Sequence, residues 1–162
     1  IELKHATLSR YIEVLLQSKI LYQCDRFDMK SKRALSGEKK YYLADISFYF
    51  ATNTDNRINY GPALESMVYV YAKSLDYSVS VGRIGKLECD FILRDNKLDY
   101  CYVQVAYTIG ESKSTEDREY APLESIADNY PKYVLTTDYL LQNRNGIKHV
   151  NLLEFMKNRS SF

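Results

Sequence analysis

Apolar and polar positions alternate most regularly between Val79 and Tyr107, VSVGRIGKLECDFILRDNKLDYCYVQVAY, and the pattern predicts three short strands. Val79 and Val81 alternate with serines before Gly82 and Gly85 mark a turn. Leu87 to Leu93 is a second run, closed by the polar Arg94-Asp95-Asn96-Lys97. Tyr100 to Tyr107 is a third, whose β-branched and aromatic residues suit a pleated surface. Side chains alternate faces along a strand, so Glu88 and Asp90 share one face of the second strand. Gln104 and Ala106 share a face of the third, opposite Val103 and Val105. A helical period brackets these strands. Leu64, Met67, Val68, Tyr71, Ala72 and Leu75 form one face of a helix from about Ala63 to Leu75, opened by Gly61-Pro62, where proline suits the first turn. Glu65 sits near its start, where negative charge is favourable in any helix. Further on, the pattern predicts a helix over Glu116 to Asn129 led by Ser114 or Thr115, and strands at Lys132 to Thr136 and Gly146 to Val150. A short helix at Leu152 to Lys157 closes the chain.

Upstream, Leu8, Tyr11, Ile12, Leu15 and Leu16 recur on one helical face after Thr7 or Ser9. Ile20 to Phe27 reads as a strand and Lys40 to Ala44 as its partner, with a polar turn between them. Asn53 to Asn59 reads as a loop. Helix, strand, basic turn and strand form the back half of a winged helix, so residues 1–45 are expected as a winged-helix-like segment and 46–162 as the main domain. Both element types mix through the chain, which places it in the mixed α/β (α+β) class. Arg26, Lys30, Lys32, Arg33, Lys39 and Lys40 outnumber Asp28 and Glu38 around the turn. Such a cluster can neutralise phosphates, which gives a DNA-contact expectation; a solvated hairpin is the alternative.

Composition narrows the classes. The chain has 162 residues with a formal net charge of +1, so no global field draws it to nucleic acid or membrane, and any basic surface must be local. A hydrophobic content of 46% suffices for a core. No apolar run approaches the roughly 18 residues of a membrane span, and no signal peptide is visible. Cys24, Cys89 and Cys101 lack metal-ligand spacing and read as reduced thiols in a cytoplasmic protein. His5 and His149 have no local acid or nucleophile beside them. No GxxxxGK[ST] occurs, so this chain does not hydrolyse ATP by that route. Starting at Ile1 without methionine, it reads as a fragment of something longer.

The order of elements, with Glu65 in the helix, Asp90 in the second strand and Gln104-Val105-Ala106 in the third, resembles the restriction-endonuclease-like PD-(D/E)xK superfamily. More narrowly, Lys40-Tyr-Tyr-Leu-Ala-Asp45, Gly61-Pro-Ala-Leu-Glu-Ser66, Leu87-Glu-Cys-Asp-Phe91, Tyr102-Val-Gln-Val-Ala-Tyr107 and Arg118-Glu119 are similar to the C-terminal region of a bacterial AAA-type ATPase family. The resemblance implies a restriction-endonuclease-like core, with a mixed central sheet flanked by helices, after a partial winged helix. It also implies an N-terminal ATPase domain of the same protein as the seat of ATP and as a partner.

In an active member, acidic residues on the second and third strands hold Mg²⁺, and a lysine two residues on orients water or stabilises the phosphate. Asp90 and Glu65 match two acidic positions and are the metal-ligand candidates. Gln104 stands where the strand acid would be, and Ala106 where the lysine would be. Lys73 and Lys86 are candidates for a displaced lysine. Arg118 and Glu119 could pin the preceding loop by an ion pair, or form a solvated first turn. Three readings follow: a non-catalytic domain binding DNA or a partner protein, an Mg²⁺-dependent nuclease using Glu65, Asp90 and Gln104, and a structural domain for packing or homo-oligomerisation.

Overall fold

The computed structural model describes residues 4–52 and 59–162. The elements run α1 (His5–Gln17), β1 (Leu21–Asp28), β2 (Arg33–Leu43), α2 (Ser47–Thr52), α3 (Tyr60–Ser74), β3 (Ser78–Ile84), β4 (Leu87–Arg94), β5 (Tyr100–Val105), α4 (Lys113–Glu124), β6 (Lys132–Thr136), β7 (Lys148–Asn151) and α5 (Leu152–Lys157). The expected mixed α/β class holds: one mixed seven-stranded sheet, in the order β2-β1-β3-β4-β5-β6-β7, is flanked by helices. Strands β3, β4 and β5 are antiparallel neighbours, whereas β5, β6 and β7 are parallel. The loop expected at Asn53 to Asn59 lies outside the described residues, save for Asn59, whose side chain caps α3 by accepting from the Gly61 amide at 3.2 Å.

Two cores sandwich the sheet. On one face Leu64, Val68, Tyr69 and Ala72 of α3 pack with Val81, Phe91, Leu93, Val103 and Val105, and Leu152 of α5 joins them. On the other, Tyr120 and Leu123 of α4 pack with Cys89, Ile92, Tyr102 and Ala106. Strands inside the sheet are buried on both faces, which is why Cys89 to Leu93 holds four apolar residues around the single acid Asp90.

The boundary expected at residue 45 falls inside this architecture. β1 pairs in parallel with β3 through Arg26–Asp28 and Val81–Arg83, and Cys24 and Tyr42 belong to the same core as Phe91. The first hairpin is therefore an extension of the sheet, joined by backbone hydrogen bonds rather than a linker. Its turn is also shorter than expected. β2 begins at Arg33 instead of Lys40, because the Asp28 carboxylate accepts from the Lys30 amide at 2.9 Å and from the Ser31 hydroxyl at 3.0 Å, closing the chain over residues 29–32. α1 buries no residue; Leu8 and Tyr11 of its apolar stripe remain exposed, as does Val14 outside it. α4 starts at Lys113 and ends at Glu124, shorter than expected at its C-terminal end. No helix among the described residues is long and apolar enough to cross a membrane.

Candidate functional site

Lys40 is the residue on which the site turns. It stands opposite Cys24 in the β1–β2 ladder and two residues before Tyr42, so it shares their buried, α3-facing side of the sheet. Ser66 fixes α3 against the same strand: its hydroxyl accepts from the Leu43 amide at 3.2 Å and donates to the Pro62 carbonyl at 2.9 Å. Glu65, one residue earlier, is thereby aimed at Lys40, and its Oε2 lies 2.7 Å from the ammonium.

The other carboxylates come from β4, where alternation breaks. Gly82 pairs with Cys89 and Ser80 with Ile92, so Asp90 and Phe91 together oppose the single residue Val81. This is a β-bulge. It lets Glu88, Asp90, Phe91 and Leu93 all serve the α3 side, whereas Cys89 and Ile92 face α4. Lys40 Nζ reaches Glu88 Oε1 at 3.0 Å and Asp90 Oδ1 at 3.9 Å, and Arg26 holds the second oxygen of Glu88.

β4 and β5 pair only from Phe91 and Val103 to Arg94 and Tyr100, and then splay apart. Side chains close the fork. Asp90 Oδ2 accepts from the Val105 amide at 2.9 Å, and the Asp90 amide donates to Gln104 Oε1 at 3.3 Å. The Gln104 amide nitrogen donates to Glu119 Oε2 at 3.1 Å, and Arg118 grips the other oxygen of Glu119 at 2.8 Å. Of the two readings of Arg118 and Glu119, the ion pair is the one found; Glu119 is only 7% exposed and is tied to Gln104 of β5 rather than to the preceding loop.

These contacts set the electrostatics. Burial first, and then Glu65, push the Asp90 carboxyl up to about 8, against the opposing pull of Lys40 and the Val105 amide. Burial would raise Glu88 too, but Lys40 and Arg26 hold it below the usual carboxylate range. Burial alone would lower Lys40, yet Glu65, Asp90 and Glu88 together raise it, so it stays charged.

The sequence-derived residues therefore divide. Glu65 and Asp90 do converge, on the Lys40 ammonium. Gln104 does not join them as an oxygen donor: its carbonyl is taken by the Asp90 amide, and its nitrogen points to α4. Ala106 is buried on the α4 side. Neither proposed substitute lysine reaches the site, since Lys73 donates to the Tyr77 carbonyl at 3.3 Å and Lys86 is exposed in the β3–β4 turn. Lys40 itself, expected as a phosphate contact, is the cation in the carboxylate cluster. Arg26 and Lys39 are likewise engaged, the latter with Asp25 at 2.6 Å. Lys30, Lys32 and Arg33 of that expected patch are exposed and form no ion pair among the described residues.

This donor set does not fit Mg²⁺. The ion wants near-octahedral oxygen coordination. Here one candidate oxygen accepts a backbone amide, and two carboxylates are already charge-compensated by an ammonium. Among the described residues no group of three or more acidic, histidine or cysteine side chains is arranged to hold a metal ion.

An uncharacterized protein of Haemophilus influenzae is 30% identical over 151 residues, which is 93% of this chain and 36% of that protein. The chain thus spans about a third of that relative's length. No family model matches the chain, and no solved structure matches it significantly.

Proposed function

We propose that this chain is a non-cleaving, restriction-endonuclease-like domain of a longer protein, and that it binds nucleic acid. The reading is carried by the Lys40 ammonium lying among Glu65, Glu88 and Asp90, where an active member would place its metal. An internal lysine supplies the compensating charge permanently.

The order α3-β3-β4-β5-α4-β6, with β5 parallel to β6 and α3 and α4 on opposite faces, agrees with the core that the sequence resemblance implies. The first hairpin takes the place of a wing in this reading, and Lys30, Lys32 and Arg33 at and beside its tip are its phosphate contacts. The partial match to a relative of greater length agrees with a domain that works beside others. ATP binding, on the same resemblance, belongs to an N-terminal domain.

A cleavage assay tests the proposal. Supercoiled plasmid and single-stranded circles incubated with the protein and Mg²⁺ or Mn²⁺ should stay intact. Metal-dependent cleavage that disappears in Asp90→Ala would overturn it.

A further inference from the structure

We propose that the uncovered half of the sheet on the α4 side is a trough for single-stranded nucleic acid, an inference that rests on the nucleic-acid reading above. α4 packs on β4, β5 and β6 rather than on β1 and β3. Two concavities of about 560 and 270 Å³ lie there and share Phe27, Ile92 and Tyr100, so they form one continuous trough. Ile92, which lines both concavities, packs against Gly82, where a Cβ would come within 3.1 Å of its side chain.

Aromatic surface and cations are segregated along this trough. Tyr100 forms the floor and Tyr130 the wall, with ring centroids 5.4 Å apart and planes at 64°. Lys30 and Lys32 border one end and Arg94 the other, all three exposed and in no ion pair among the described residues. Of the two acids beside them, Asp25 is offset by an ion pair, and these three cations outnumber the remaining Asp128 carboxylate. Asp128 accepts from the Tyr102 hydroxyl at 2.7 Å and the Tyr130 amide at 3.2 Å, and Asp25 pairs with Lys39. The trough is thus locally positive although the chain is nearly neutral.

This chemistry fits an unpaired strand better than a duplex. A duplex hides its base faces in its own stack and offers phosphates outward. A single strand offers bases to rings and phosphates to flanking cations at once, and base–aromatic stacking tolerates any sequence. Tyr100 and Tyr130 would receive bases, and Lys30, Lys32 and Arg94 the backbone.

Fluorescence anisotropy with labelled oligothymidine of about 12 nucleotides, and with a duplex of equal length, tests this on the whole chain at roughly 50 mM salt. The single strand should bind, and binding should weaken roughly tenfold in Tyr130→Ala and at least as much in the Lys30→Glu/Lys32→Glu double variant. All three side chains are exposed, and circular dichroism confirms that the variants fold. Duplex binding that needs the lysines but ignores Tyr130→Ala would overturn the trough and leave the nucleic-acid reading standing. Oligothymidine binding unaffected by Tyr130→Ala and displaced by polyglutamate at equal charge would mean general polyanion attraction, and would also overturn it. Binding of neither nucleic acid would overturn both readings.

Discussion

Replacing Lys40 by methionine keeps an unbranched stem of similar length and removes only the ammonium. The acids it leaves behind are Glu65, Asp90 and Glu88, with side-chain exposures of 17%, 11% and 35%. Asp90, its carboxyl pushed up to about 8, is largely protonated at pH 7.5, and at an effective dielectric of about 20 the Glu65 and Glu88 contacts are each worth roughly 5–6 kcal/mol before costs. Dehydration of Lys40, the ordering of its stem and mutual repulsion among the carboxylates oppose most of that gain. Glu88 is about a third exposed and keeps Arg26, so its share is small. The net loss expected at pH 7.5 is about 2–4 kcal/mol, below the range for breaking a fully buried pair because Lys40 is 24% exposed. For a domain of this size that corresponds to a fall in melting temperature of roughly 4–16 °C.

The pH dependence carries a sign. Glu88 has a depressed pKa in the folded state, so its contribution is present above the unfolded value and is lost as pH falls. Lys40→Met forfeits that contribution, so its deficit should hold from pH 7.5 down to about 5 and be smaller at about pH 3.5, below the ordinary glutamate range. Urea unfolding followed by far-ultraviolet circular dichroism at these pH values measures it. Adding Glu65→Gln to Lys40→Met should recover about 1 kcal/mol or more, because the two side chains are in contact. A Lys40→Met protein within about 0.5 kcal/mol of wild type at all these pH values would refute the reasoning.

Two further substitutions probe the bulge and its neighbour. Asp90 has a folded pKa raised above its unfolded value, so its contribution is full below about 4 and is lost as pH rises through about 8. Asp90→Asn keeps an acceptor for the Val105 amide and cannot ionise, and should gain at least about 1 kcal/mol on wild type between pH 5 and pH 8.5; parallel denaturation curves at the two pH values would count against the assignment. Gly82→Ala would place a Cβ 3.1 Å from Cys89 Cβ and from Ile92. Both are buried, so the expected cost is about 1–3 kcal/mol in urea unfolding, and an unchanged midpoint would show that Ile92 yields freely.

Periodicity alone located α3, the three central strands, β6 and α5, because each carries a strong local pattern. The bulge escaped it. Strict alternation puts Asp90 and Ile92 on one face, whereas the extra residue on β4 sends Ile92 to α4 and keeps Phe91 beside Asp90. Lys40 was misplaced for a different reason. Its composition matched a basic turn, but its partners lie 25, 48 and 50 residues along the chain, and only the register of β2 against β1 turns it inward. The one-sheet arrangement was equally hidden, since parallel pairing of β1 with β3 spans more than fifty residues and leaves no short-range signal. Gln104 and Ala106, by contrast, were legible as departures from a motif; what the sequence withheld was that the Gln104 oxygen would be taken by the Asp90 amide.

On the proposed reading Lys40, and no metal, compensates the acidic cluster. Calorimetric titration of the wild-type protein with Mn²⁺ at neutral pH tests it most directly. No saturable heat is expected, in the wild type or in Asp90→Ala. Stoichiometric binding in the wild type that vanishes in Asp90→Ala would contradict it.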